Sequence, residues 1–175
     1  MNKKTISATV AVLTLVLLTV PVAFAAQEQA WFDFDNCSMC QKMTAEKGLM
    51  ENMQWENYLT ADGMMTVTVV NPGYEEAFAR AMKNMETVGG QLMAGEKLYL
   101  CGFCTSYGAL QMAGATIENF ETAGGHINLV TSREPAAIEK IHVHGQRTID
   151  EMAKMTAGDK HGSHDHGSHG HDHAH

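Results

Sequence analysis

All four cysteines of this 175-residue chain fall into two Cys-x-x-Cys pairs, Cys37-Ser-Met-Cys40 and Cys101-Gly-Phe-Cys104. When such a pair opens a helix, its thiols lie one turn apart, and the free N–H groups of the helix start favour the thiolate. Two thiolates so placed grip one soft or borderline ion. Thiolates select Cu(I) and Zn(II). Two of them suffice for linear Cu(I), whereas zinc takes four ligands. Without a metal, the same dithiol in an oxidising compartment is a disulfide or a redox couple. A second donor set lies at the end of the chain. Beyond Ala157 the sequence turns to Gly, Ser, Asp and the histidines His161, His164, His166, His169, His171, His173 and His175. This composition cannot bury a core, and its imidazoles suit loose, pH-dependent binding of a borderline metal.

The elements that must carry the cysteines occur twice. Cys37–Cys40 is followed by Trp55-Glu-Asn-Tyr58, Thr60-Ala-Asp-Gly63, an apolar run and Pro72. Cys101–Cys104 is followed by Ile117-Glu-Asn-Phe120, Thr122-Ala-Gly-Gly125, an apolar run and Pro135. The offset is 64 residues at the cysteines, 62 at the middle motif and 63 at the proline. In the first copy, Trp31 to Phe34 reads as a short strand and Cys37 to Met50 as a helix. Gln54 to Leu59 and Met64 to Val70 read as a hairpin, and Pro72 opens a helix that Gly89-Gly90 ends. In the second copy, Lys97 to Leu100 is the strand and Cys104 to Ala113 the helix. Thr116 to Glu121 and Ile127 to Thr131 form the hairpin, and Pro135 opens the last helix.

Each unit is thus β-α-β-β-α, a ferredoxin-like motif without its fourth strand. If the second unit's first strand fills that position, the fold is α+β. Two duplicated β-α-β-β-α units then share one six-stranded antiparallel sheet, with helices on one face. On that tracing the cysteine pairs sit at opposite ends of neighbouring strands. A strand of four or five residues spans roughly 13–17 Å, so two separate dithiol sites are expected. The hairpin turns supply extra donors: Met64 (with Met65) beside the first pair and His126 beside the second, where the histidine tail also begins. Most of the 13 methionines lie at helical spacing, and Met39 and Met43 align with Phe103 and Tyr107, which marks them as core. His142 and His144, two apart on a helix, cannot easily share an ion.

A Cys-x-x-Cys between a first strand and a first helix, in a unit of this size, resembles the heavy-metal-associated domain of copper chaperones and metal-pumping ATPases. The segment Thr60-Ala-Asp-Gly-Met-Met-Thr-Val-Thr-Val-Val-Asn-Pro72 is similar to that family's hairpin. Over Trp31 to Met155 the resemblance implies Cys37, Cys40, Cys101 and Cys104 as soft-metal ligands. The chain departs from the family's pattern two residues before each pair, where Asp35 and Tyr99 stand in place of methionine.

Composition sets the context. Lys3 and Lys4, the apolar run Ile6 to Val20 and Ala23-Phe24-Ala25 have the layout of a secretory signal peptide over residues 1–25. Residues 26–95 then form the first Cys-x-x-Cys unit, 96–157 the second and 158–175 the histidine tail. The net charge of −8 argues against nucleic acid and anionic lipid, and no later stretch is long and apolar enough to span a membrane. The sequence shows no nucleophile with its base, phosphate loop or paired carboxylates, so no enzyme is expected. The expectation is an exported protein, periplasmic in a Gram-negative cell and otherwise secreted. It would sequester copper first and zinc second, or hand the ion to a metal-transport or metalloprotein partner. The rival expectation is a thiol–disulfide protein whose pairs cycle or stay oxidised.

Overall fold

The computed structural model describes residues 29–158. The expected leader and the histidine tail lie outside them. The elements run α1 (Gln41–Thr44), β1 (Met53–Thr60), β2 (Gly63–Val70), α2 (Glu75–Met93), α3 (Gly102–Met112), β3 (Thr116–Thr122), β4 (Gly125–Thr131) and α4 (Pro135–Gly158). The fold is α+β, and both hairpins belong to one antiparallel sheet of order β1-β2-β4-β3. No helix of the described residues is long and apolar enough to cross a membrane.

The hairpins form where β-branched residues dominate, and their inner strands meet. Met64 pairs with Val130, Thr66 with Asn128 and Thr68 with His126. At the 62-residue offset Thr66 is the counterpart of Asn128, so a local twofold passes between these partners. The repeated Glu-Asn has a structural use. Thr66 Oγ1 donates to Asn57 Oδ1 at 2.7 Å, and Asn128 Nδ2 donates to Asn119 Oδ1 at 2.8 Å. The repeated glycine is explained by close approach. A Cβ on Gly63 would lie 1.9 Å from the Val130 carbonyl oxygen, and one on Gly125 would lie 2.0 Å from that of Thr68.

Alternate strand residues face the helices. Met64, Leu110, Val130 and Ile141 form one buried cluster between β2, β4, α3 and α4. Met43, Leu49, Val70 and Ala81 form another beneath α2. Fully burying side chains of this size stabilises by about 1.5–3 kcal/mol each. α4 crosses to the other hairpin: Gly145 leaves room for Leu59 and Met64, and Met152 sulfur accepts N–H bonds from Trp55 and Asn57.

Several expectations need correction. Neither Trp31 to Phe34 nor Lys97 to Leu100 is a strand, so the sheet has four strands and not six. The backbone groups of these arms go elsewhere. Gly102 and Phe103 donate their N–H groups to the carbonyls of Ala30 and Trp31, and Ser38 donates to that of Tyr99. The arms are spent on each other's cysteine loops and not on a ladder. The helix expected from Cys37 to Met50 is a single turn, Gln41–Thr44, and Gly48 beyond it takes the left-handed φ of +76°. α2 begins at Glu75 and not at Pro72, and it runs straight through Gly89-Gly90.

The glycines divide into two testable groups. Gly63→Ala and Gly125→Ala are each expected to lower unfolding stability by about 2–3 kcal/mol, because the new methyl meets backbone. Gly89→Ala, in open space inside α2, is expected to raise it by about 0.5–1 kcal/mol. Denaturant melts of the three variants measure both.

Candidate metal centre

The crossed arms bring both cysteine pairs together. Ala30 and Trp31, on the first arm, hold the start of α3, where Cys101 is the N-cap. Tyr99, on the second arm, holds the loop of Cys37–Cys40, and its hydroxyl donates to Asp33 Oδ2 at 3.0 Å. The four sulfurs of Cys37, Cys40, Cys101 and Cys104 consequently lie within 4.8 Å of one another. The expectation of two separate sites is overturned. It rested on strands that would hold the pairs apart, and those strands do not form.

The group has the dimensions of a four-coordinate site. Cys40 Sγ lies 3.7 Å from Cys101 Sγ and 3.7 Å from Cys104 Sγ. A tetrahedron with metal–sulfur bonds of about 2.3 Å has sulfur–sulfur edges of about 3.8 Å. Cys37 and Cys101 are fully buried and Cys40 nearly so, while Cys104 is partly exposed. Phe34, Met39, Leu100 and Phe103 pack around the sulfurs. Among the described residues no histidine or carboxylate joins the group.

Electrostatics order the thiols. Cys101 is held well below the ordinary thiol range. Hydrogen bonds from Cys104 and then Cys40 are the main cause, and the backbone N–H groups of Cys104 and Asp33 assist. Cys104 is pushed far up, first by its hydrogen bond with Cys101, then by that with Cys40 and by burial. Cys40 is also raised, again first by Cys101. One thiolate therefore forms readily and its neighbours resist a second negative charge. A bound cation removes that resistance.

The other nominated ligands lie elsewhere. Met64 is 1% exposed inside the apolar cluster with Leu110, Val130 and Ile141, so it is core and not a donor beside the first pair. His126 sits in β4 between Thr68 and Glu121, its ring 6.4 Å from that of Phe78, and takes no part in the cysteine group. The donors His161, His164, His166, His169, His171, His173 and His175 lie outside the described residues.

A layer of side chains next to the site was missed. His144 is 1% exposed, with its ring 5.1 Å from Phe103 and 5.4 Å from Trp31. Its Nδ1 lies 3.0 Å from Ser106 Oγ, while its Nε2 and Trp31 Nε1 are buried without a hydrogen-bond partner. His142 hydrogen-bonds the Thr60 carbonyl through Nε2. The helical spacing of Ile141, His144 and Thr148 is the signal that could have placed His144 inside.

No protein-family model matches the chain, and neither a curated protein nor a solved structure matches it.

Burial pushes the His144 imidazole down to about 4. In the unfolded chain it titrates near 6.5, so the unfolded state binds the extra proton first. The stability from keeping His144 neutral is complete above about pH 6.5. It is lost as pH falls towards about 4, by about 3 kcal/mol in all. Between pH 7 and pH 4 the unfolding free energy of the wild type should fall by about 3 kcal/mol more than that of His144→Gln. Parallel curves would exclude the effect.

Proposed function

We propose that the protein is an exported metal-binding protein that holds one tetrahedral thiolate-bound ion, Zn(II), between its two halves, and sequesters that ion or hands it on. The observation that carries this reading is the group of four sulfurs within 4.8 Å, with edges of 3.7 Å. Cu(I), the first choice for isolated pairs, needs only two thiolates. Once the pairs merge, the donor count suits zinc better. A site closed by four protein ligands leaves no position for substrate, which favours holding over catalysis. Cys104, the most exposed ligand, is the vertex at which a partner's thiol or a chelator would enter. The histidine tail would act as a weak collector that raises the local metal concentration. The resemblance to heavy-metal-associated units points to the same class of ion.

The rival reading, a thiol–disulfide protein, gains one specific form from the geometry. Cys40 Sγ is equally close to Cys101 and Cys104, so oxidation can link the two halves as well as close a ring within one Cys-x-x-Cys.

Protein purified from the exported compartment is expected to carry one zinc per chain and four thiols that react only after chelation. Co(II) in its place should show the intense visible ligand-field bands of a tetrahedral tetrathiolate. Each Cys→Ser change should weaken binding by more than about a hundredfold, beyond what the loss of an outer partner costs. One Cu(I) per chain would keep the site and change the ion. Four blocked thiols without metal would establish the rival, and peptide mapping would say whether Cys40 is joined to the other half.

A further inference from the structure

The four-sulfur group has one open vertex, and α4 leaves the described fold close to it. Cys37, Cys40 and Cys101 are buried, packed among Phe34, Met39, Leu100 and Phe103, whereas Cys104 is partly exposed. Among the described residues no histidine joins the group. The His144 ring packs on Phe103 and bonds Ser106, His142 bonds the Thr60 carbonyl, and His126 lies in β4. Packing fixes the direction of α4 past the site. Leu110 shares a cluster with Ile141, while Phe103 and Ser106, nearer the start of α3, meet His144 further along α4. The two helices are therefore antiparallel. Trp31, whose carbonyl takes the Phe103 N–H, lies against Arg147. Ala30, whose carbonyl takes the Gly102 N–H, shares a hollow with Arg147, Glu151 and Lys154. The cysteine end of α3 is thus level with Arg147 to Glu151. α4 continues to Gly158, about 10–17 Å further at 1.5 Å per residue. With packed helix axes about 8–10 Å apart, Gly158 stands about 20 Å from Cys104. Each residue beyond it spans at most about 3.3–3.6 Å, so His166 and the histidines after it are tethered within reach of Cys104.

We infer that a tail histidine exchanges with Cys104 at this vertex, so that zinc enters and leaves through a site of Cys37, Cys40, Cys101 and one tail imidazole. The inference rests on the reading of the four sulfurs as a zinc site. Three thiolates and one imidazole complete a four-coordinate zinc shell as four thiolates do. In the exchange the bond from zinc to Cys104 Sγ breaks, and that thiolate takes a proton from solvent. A bond forms from zinc to a neutral imidazole nitrogen. Zinc stays Zn(II), and nothing is oxidised or reduced. Loading runs the same steps in reverse. The three buried vertices admit no such exchange, because an incoming ring would have to displace the side chains packed around them. At about 1 µM protein, far below the millimolar effective concentration of a short tether, the tail acts on the site of its own chain.

Zinc affinity, measured by competition with a chelator of known strength, tests this in full-length chains. Cys104→Ser and Cys37→Ser are each compared with the native tail and with all seven tail histidines changed to glutamine (His161→Gln and its six counterparts). Loss of the tail histidines should weaken Cys104→Ser by at least about tenfold more, and should leave Cys37→Ser within about twofold. X-ray absorption of zinc-loaded Cys104→Ser should show three sulfurs and one imidazole, and the imidazole signature should vanish with the tail histidines. A tail that affects both serine variants equally overturns the proposal, as does a Cys104→Ser site without imidazole. If the serine variants do not fold, the wild type decides. Zinc should pass to excess chelator at least about fivefold faster from the native chain than from the chain with glutamines, and equal rates overturn the proposal. A wild type that binds no zinc removes the site itself. A wild type that binds zinc with an indifferent tail removes only this inference.

Discussion

The structure depends on the crossing of two short arms. Ala30 and Trp31 accept N–H bonds from Gly102 and Phe103, and Tyr99 accepts one from Ser38. Each arm thereby orients the cysteine loop of the other half. A buried N–H or carbonyl must find a partner, and an irregular arm has none within itself. The arms satisfy this requirement by reaching across. Had each arm entered the sheet, its polar groups would have been paired along the ladder, and the cysteine pairs would have stood a strand's length apart. The choice of hydrogen-bond partner for a few residues therefore decides between two dithiols and one four-sulfur group.

The sheet supplies what the crossing needs beneath it. Its inner strands meet at Thr66 and Asn128, and Gly63 and Gly125 let the other half's carbonyls approach closer than any side chain would permit. α4 then lies over the opposite hairpin, with Gly145 against Leu59 and Met64. Neither half is a self-sufficient unit. The apolar cluster of Met64, Leu110, Val130 and Ile141 draws on both halves, as does the cysteine group above it. Trp31, Phe103 and His144 pack against one another, and Phe103 also packs against the cysteine group.

How much of this was legible in the chain follows from where the information resides. The hairpins were readable because Thr66-Val-Thr-Val-Val70 and Asn128-Leu-Val130 announce their strands locally, and Ala61-Asp62-Gly63 announces the turn. One antiparallel sheet shared by both halves was expected from the repeat, but joined through the arms as neighbouring strands, whereas β2 and β4 make the join. The arms were not readable as arms. Trp31-Phe-Asp-Phe34 and Lys97-Leu-Tyr-Leu100 alternate well enough to suggest strands, but they contain no Val, Ile or Thr, and Asp35-Asn36 follows the first of them. That absence was the available signal. The convergence of the cysteines is a long-range outcome of hydrogen bonds between residues about 60 to 70 apart, which no local pattern encodes. Met64 illustrates the same limit. Its thioether could serve as a ligand or as core, and only the neighbours brought by tertiary packing decide the matter.

The division between a ladder-built sheet and arms without a ladder has a consequence for a closed site. Three of the four cysteines are buried, so exchange of an ion by simple collision at the surface is obstructed. The arms, however, are held to the sheet by few backbone bonds and by their own side chains, and regions so held open at lower free energy than a sheet core. On the reading proposed above, metal binding and arm closure are one equilibrium, because the ligands must lose protons and converge together. The resistance of Cys40 and Cys104 to ionising beside Cys101 disfavours four bare thiolates in the closed arrangement. On that same reading, opening the arms would leave the hairpins, their paired glycines and the cluster around Ile141 in place.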